Sequence, residues 1–160
     1  MKKIGVFILC ALISNTAIAK TFYEQARDAG FKSCLETAKN LVESLVNEDV
    51  YAAHNLWDMD SVNESFFDSM IVKYYTDGDS HISLTIVPRG EKCDWAYTES
   101  YPVEKPCEVV REEQFSPREY SASLNENSMA FVSDEGVYFY LSPSETGKTC
   151  LVTKREVFYE

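Results

Sequence analysis

Residues 80–101 read SHISLTIVPRGEKCDWAYTESY, and this stretch decides the fold class. The β-branched, apolar run from His81 to Val87 is typical of a strand, and Pro88-Arg89-Gly90 predicts the turn that ends it. After the turn, cysteine and aromatic side chains share one parity and polar side chains take the other, which indicates a half-buried second strand. The cysteine and aromatic side chains that share this parity are Cys93, Trp95, Tyr97 and Tyr101. Two strands joined by a short turn predict an antiparallel sheet.

Further strands are predicted in the rest of the chain, separated by turn signals such as Ser116-Pro117 and Asp134-Glu135-Gly136. The predicted strands cover residues 107–114, 120–124, 129–133, 137–141 and 149–159. We therefore predict a mainly antiparallel sheet of about six strands.

The residues before the sheet carry helical signals. Thr21 followed by Glu24 has the spacing of a capping box. From Phe31 to Leu45 the apolar side chains recur at steps of three and four, as on the buried face of an amphipathic helix. Gly30 interrupts the pattern and predicts a kink or a break. The N-terminal region is therefore predicted to be helical.

Two more helical segments are predicted before residue 80. Residues 47–60 predict a short helix or helical turn, and the apolar pairs spaced four apart in residues 66–75 predict a third helix. Helices followed by strands, without alternation, predict an α+β fold with N-terminal helices packed on one face of the sheet. This order resembles the cystatin-like and nuclear-transport-factor-like layouts, in element order alone and without a shared motif.

The first nineteen residues predict a signal peptide. Met1-Lys2-Lys3 is a short positive start, Ile4 to Ile13 is apolar, and Ala17-Ile18-Ala19 supplies the small residues of a cleavage site. The apolar run is half the length that a membrane anchor needs. Cys10 lacks the small preceding residues of a lipoprotein signal. We expect export and a mature domain of residues 20–160, with no membrane insertion after cleavage.

Composition limits the partners of the chain. Its 160 residues include 15 basic and 26 acidic side chains, for a formal net charge of −11. Hydrophobic residues make up 45% and aromatic residues 13%, which is enough for a packed core and excludes a disordered chain. Cleavage after Ala19 would remove Lys2 and Lys3 and leave a net charge of −13. Nucleic acid and anionic membranes are therefore not expected as partners.

Four of the five cysteines lie in the predicted mature chain: Cys34, Cys93, Cys107 and Cys150. An even number in an exported protein predicts two disulfides and an oxidising compartment. We predict a Cys93–Cys107 bridge between successive strands and a Cys34–Cys150 bridge from the first helix to the last strand. The start of the chain is typical of bacterial export to the periplasm or the medium, although the sequon Asn63-Glu64-Ser65 leaves a eukaryotic source open.

The sequence contains no recognisable catalytic constellation. His54 and His81 have neither metal-ligand spacing nor a nucleophile motif nearby, and we expect both to be ordinary surface or core histidines. Asp58-x-Asp60 and Asp77-Gly78-Asp79 offer oxygen ligands for Ca²⁺, but neither continues as an EF-hand, and both also suit turns and helix caps. We expect no cofactor, no metal and no enzymatic activity. A carboxylate- or His54-based enzyme is the least favoured hypothesis.

One aromatic row has two interpretations. Trp95, Tyr97 and Tyr101 either form part of the inner face of the sheet or an exposed patch that anchors a partner. Our leading functional hypothesis is a small, exported, non-catalytic binding or inhibitor-type protein, for example an immunity-type protein that neutralises a basic toxin or hydrolase. The alternative is an apolar-ligand-binding protein with a pocket between helices and sheet.

Overall fold

The computed structural model describes residues 21–75, 78–115 and 119–160. The predicted signal peptide, Asp77 and the Ser116-Pro117 turn lie outside the described residues.

The fold is α+β, as predicted, but its antiparallel sheet contains eight strands among the described residues rather than about six. The helices are α1 (Phe22–Asp28), α2 (Leu35–Val46) and α3 (Cys107–Val110), and α3 continues into a π-helical turn at Arg111–Phe115. The strands are β1 (Tyr51–Trp57), β2 (Phe67–Tyr75), β3 (Gly78–Arg89), β4 (Lys92–Val103), β5 (Glu119–Ser123), β6 (Met129–Val132), β7 (Tyr138–Pro143) and β8 (Cys150–Phe158). The spatial order is β1-β2-β3-β4-β8-β7-β6-β5, so the last strand lies in the middle of the sheet.

The local signals at the N-terminus are confirmed. The Thr21 side chain accepts a hydrogen bond from the backbone N–H of Glu24, whose carboxylate accepts one from the N–H of Thr21, so α1 begins with a capping box. Gly30, with φ +82°, separates α1 from α2, because the left-handed conformation is accessible to glycine at little cost. No helix within the described ranges is long and apolar enough to cross a bilayer.

The prediction of a helix at residues 66–75 was wrong, because this segment forms β2. Residues four apart share a face of a helix, but they also share a face of a strand, since four is an even number. Phe67 and Ile71 are buried on one face, whereas Phe66 and Met70 are exposed. A strand that is apolar on both faces therefore imitates the spacing of an amphipathic helix.

Two other predicted elements also differ. Residues 47–60 contain β1 rather than a helix, and residues 107–114 form α3 and part of the π-helical turn rather than a strand. In α3, Cys107 and Val110 are both buried, three residues apart on one side of the helix. The third helix thus lies between strands in the chain, and the order of helices first and strands second does not hold.

All helical elements cover the same face of the sheet, here called the inner face, in two hydrophobic clusters. α1 and α2 pack on β1–β4. In this cluster the centroid of the Phe67 ring lies 4.6 Å from that of Phe31, 5.7 Å from that of Trp57 and 5.8 Å from that of Phe22. α3 and the π-helical turn pack on β6–β8, where the ring centroids of Phe115 and Phe139 are 5.2 Å apart. The opposite surface, the outer face, has no helix on it among the described residues.

The four cysteines form two disulfides, but the predicted pairing was wrong. The bridges are Cys34–Cys93, with Cα atoms 5.8 Å apart, and Cys107–Cys150, with Cα atoms 4.8 Å apart. β4 continues through Tyr101-Pro102 to Val103, so Cys93 lies at its start and Cys107 beyond its end, separated by roughly 30 Å of extended chain. Each disulfide therefore attaches one helical layer to the sheet.

Candidate binding groove

The aromatic row singled out in the sequence lies on the inner face. Tyr97 is 3% exposed within the first cluster, Trp95 packs against that cluster, and Tyr101 packs against the second. Burial, reinforced by the nearby Glu156 carboxylate, raises the pKa of the Tyr97 phenol. Tyr97 is thus covered, whereas Trp95 and Tyr101 are half-buried, and a partner-binding role for this row stays a prediction.

A different apolar feature is exposed, at the end of the β1–β2 hairpin. Here a groove of about 420 Å³ opens between the last residues of β1 and the first residues of β2. Leu56 is 57% exposed and Phe66 is 60% exposed, although both are large apolar side chains. The groove is lined by Leu56, Trp57, Asp58, Ser65, Phe66 and Asp68. A concave apolar surface with a few polar groups is the usual form of a binding site.

The surroundings of this groove are acidic over a long stretch of chain. Between Lys39 and Lys73 the sequence contains no lysine or arginine but seven acidic residues. Two of these carboxylates, Asp58 and Asp68, line the groove itself. The others are Glu43, Glu48, Asp49, Asp60 and Glu64. Glu43 is paired with Lys39, whose Nζ lies 3.9 Å from its carboxylate, and the segment itself supplies no lysine or arginine for the other six.

The rim carboxylates are held in place by hydrogen bonds. Asp58 accepts bonds from the Ser61 hydroxyl at 2.7 Å, the Asp60 N–H at 2.9 Å and the Ser65 hydroxyl at 3.4 Å. Asp68 accepts a bond from the hydroxyl of Thr85 on β3 at 2.9 Å. Because each carboxylate keeps unused acceptor capacity, the rim presents oriented negative charge to a cation.

These bonds predict the titration of Asp58. The Ser61 hydroxyl, followed by the Asp60 N–H, lowers the pKa of the Asp58 carboxyl, so we expect its midpoint in a carbon-detected NMR titration to lie below that of an ordinary exposed aspartate. The stabilisation is present above the unfolded-state pKa and is lost as pH falls through the folded-state value. We expect Ser61→Ala to raise the midpoint, while Ser144→Ala on the β7–β8 turn leaves it unchanged. An unchanged midpoint in Ser61→Ala would contradict this account.

The sequon Asn63-Glu64-Ser65 lies in the β1–β2 loop, where its asparagine has a structural role. The Asn63 side chain accepts hydrogen bonds from the backbone N–H groups of Lys32 and Ser33, at 2.6 and 3.0 Å, and donates one to the Gly30 carbonyl at 3.0 Å. Asn63 therefore fastens the β1–β2 loop to the α1–α2 connection. A glycan on this nitrogen would compete with the bond to Gly30, so the sequon has a structural explanation.

Those candidate catalytic and metal-binding residues that the structure describes lie apart from one another or in an ordinary turn. His54 and His81 are both exposed on the outer face, and His54 lies opposite Met70. Asp58 and Asp60 form a hydrogen-bonded turn. Asp77, in the second calcium hypothesis, lies outside the described residues. Across residues 21–75, 78–115 and 119–160, no cluster of three or more histidine, cysteine or acidic residues could hold a metal ion.

One buried polar centre was not found by sequence reasoning. Lys73 on β2 and Glu99 on β4 are 5% and 7% exposed, and the Lys73 Nζ lies 2.9 Å from the Glu99 Oε1. The Lys73 ammonium also donates to the Leu45 carbonyl at 2.9 Å, and the Ser80 hydroxyl donates to Glu99 at 2.7 Å. Lys73 and Glu99 are distant in sequence, so their pairing has no spacing signal, and the one local sign is that Glu99 falls at the apolar parity of β4.

A second acidic concavity lies at the C-terminal end of α2. Its volume is about 470 Å³, and its lining includes Glu43, Glu48 and Asp49. Asn47 and Glu48 both have positive φ, at 46° and 69°, where the chain leaves the helix. It lacks the large exposed apolar side chains of the β1–β2 groove, which therefore remains the candidate site.

A comparison of the chain with protein-family models, with curated proteins and with solved structures finds no match.

Proposed function

We propose that this chain is an exported, non-catalytic binding protein of the inhibitor or immunity type, and that it acts by binding to a basic partner protein and neutralising it. The observation that carries this proposal is the β1–β2 groove, where exposed apolar side chains lie beside fixed carboxylates in a stretch without lysine or arginine. Apolar contact supplies affinity, and complementary charge supplies orientation and a fast association rate.

The compartment and the charge support the same proposal. Two disulfides suit an oxidising environment such as the periplasm or the extracellular medium. A formal net charge of −11 attracts basic proteins and repels anionic surfaces. The alternative of an apolar ligand between helices and sheet has less support, because Phe22, Phe31 and Phe67 fill that layer with almost no exposed surface.

The proposal predicts salt-dependent capture of a basic protein. The purified chain is immobilised and exposed to envelope extract of the source cells at low and at raised ionic strength. We expect a basic protein to be retained at low salt and released as salt rises, because exposed charge pairs are screened.

Charge reversal on the β1–β2 loop beside the groove tests whether this surface is responsible. We expect Asp60→Lys/Glu64→Lys to weaken retention on the order of tenfold. The control Glu126→Lys/Glu145→Lys changes the net charge by the same amount on distant exposed turns and should cost no more than about twofold. Retention of no basic protein, or equal loss in both variants, would count against the proposal.

A further inference from the structure

The apolar surface of the groove extends across the outer face. Phe66 and Leu56 are joined by Met70 at 44% exposure and Val87 at 39% exposure. The register places Met70 and Leu56 on this face, because they alternate with the buried Ile71 and Asn55. Exposed apolar patches of this kind mark interaction surfaces more often than isolated exposed side chains do.

Charge selects one class of occupant for this surface. A second copy of the chain would bring its own carboxylates against Asp58 and Asp68, and like charges that face each other are destabilising. An anionic lipid or nucleic acid is disfavoured for the same reason. The nearby Arg89 is paired with Asp94 through bonds of 2.9 and 3.1 Å, so it does not offset the acidic rim. The occupant must therefore carry positive charge next to an apolar group.

The groove also sets the size of the apolar group. Its volume of about 420 Å³ lies toward the small end of the range for ligand pockets, roughly 300–1,000 Å³. It is open to solvent between Leu56 and Phe66, so a chain can lie across it without threading into the protein. The dimensions suit a large apolar side chain together with the backbone that carries it.

Building on the proposed function, we infer that the β1–β2 groove binds a segment of the basic partner in which a large apolar residue is flanked by lysine or arginine. The apolar side chain lies between Leu56 and Phe66, and the flanking cations meet the carboxylates of Asp58 and Asp68. Both parts are needed, because the carboxylates alone attract any basic surface and the apolar walls alone attract any exposed hydrophobic residue.

Synthetic peptides provide the test. The probe is a short peptide with leucine at the centre between lysine pairs, and its matched control has alanine at the centre. Binding is followed by the ¹H–¹⁵N NMR shifts of the amides of residues 56–58 and 65–68 and of the Trp57 indole. We expect the leucine peptide to bind about tenfold more tightly, which is the expected difference for burying a leucine rather than an alanine side chain.

Measuring both peptides against variants of the groove gives a double-mutant cycle. We expect Phe66→Ser, with Leu56→Ser as a second variant, to reduce the preference for leucine to about twofold or less, because the wall that contacts the central residue is removed. The control Leu124→Ser removes an apolar side chain that is 65% exposed on the β5–β6 turn, and it should keep the full preference. Equal affinity of the two peptides for the unmodified protein would overturn the inference, as would an equal loss of preference in Leu124→Ser.

Failure of this inference can be separated from failure of the proposed function. If Phe66→Ser retains the basic partner with unchanged affinity and unchanged salt dependence, the groove inference is overturned while the proposed function stands. If the unmodified chain retains no basic protein at low salt, the proposed function itself is overturned.

Discussion

We expect the substitution Lys73→Met to lower the free energy of unfolding by about 3–5 kcal/mol, because it leaves the Glu99 carboxylate buried without its cation. Lys73 and Glu99 lie between the two hydrophobic clusters, and their side chains are only 6% and 9% exposed. The Lys73 ammonium also donates a hydrogen bond to the Leu45 carbonyl at the end of α2. Burial acts to lower the pKa of Lys73, but hydrogen bonds to Tyr75 and Glu99 and the charge of Glu99 outweigh it and raise the pKa.

The double variant Lys73→Met/Glu99→Gln separates charge from packing. Glutamine keeps an acceptor for the Ser80 hydroxyl and carries no charge that would need the lost ammonium. We expect it to recover at least about half of the lost stability, since replacing both members of a buried ion pair costs less than removing one. Urea unfolding followed by circular dichroism gives the three free energies. A loss below about 1 kcal/mol in Lys73→Met would show that water reaches Glu99.

The Lys73–Glu99 pair also predicts that the free energy of unfolding falls at alkaline pH. Because the folded-state pKa of Lys73 is raised, its stabilisation is fully present below the unfolded-state pKa of about 10.4 and is lost as pH rises through the folded-state value.

Removing the Cys34–Cys93 disulfide is expected to cost about 4 kcal/mol. The bridge closes a loop of 59 residues in sequence separation, and the chain-entropy relation converts a loop of that length to this value. The variant is Cys34→Ala/Cys93→Ala, measured by urea unfolding under non-reducing conditions. The removal of Cys107 and Cys150, whose separation is 43, should cost a similar amount because the dependence on loop length is logarithmic.

Connectivity is checked independently by peptide mapping without reduction. We expect linked fragments that contain Cys34 with Cys93 and Cys107 with Cys150. A reductant should destabilise the unmodified protein, and it should destabilise the Cys34→Ala/Cys93→Ala variant less, since that variant has lost one of the two bridges. Fragments that join Cys93 to Cys107 would contradict the register of β4.

The sequence predicted local features well where one interaction dominates. The Thr21–Glu24 capping box and the apolar face of α2 depend on residues three and four apart, and both are present. The strands from residue 80 to residue 101 were predicted because one parity is apolar and the other is polar. β2 was not, since apolar residues occupy both of its faces and the spacing of four fits a helix equally well.

The candidate site was not predicted for a related reason. Trp95 and Tyr97 attracted attention as aromatic residues on a single strand face, yet that face is covered by α1 and α2. Leu56 and Phe66 lie in segments that were predicted as helices, yet they are exposed at the end of a hairpin. Composition identifies which side chains can make a binding surface, but exposure depends on what packs against each face.

By itself the sequence determined the charge, the even set of cysteines in the predicted mature chain, the first helix cap and the alternation that makes β3 and β4 strands. These properties depend on the residues present or on neighbours within one turn or one strand. Only the tertiary structure decided the cysteine partners, the pairing of Lys73 with Glu99 and the exposure of the groove. β8 inserts between β4 and β7 and brings Cys150 opposite Val103, close to Cys107. Strand order follows from which apolar faces can be buried together, and that depends on the whole chain rather than on any local spacing.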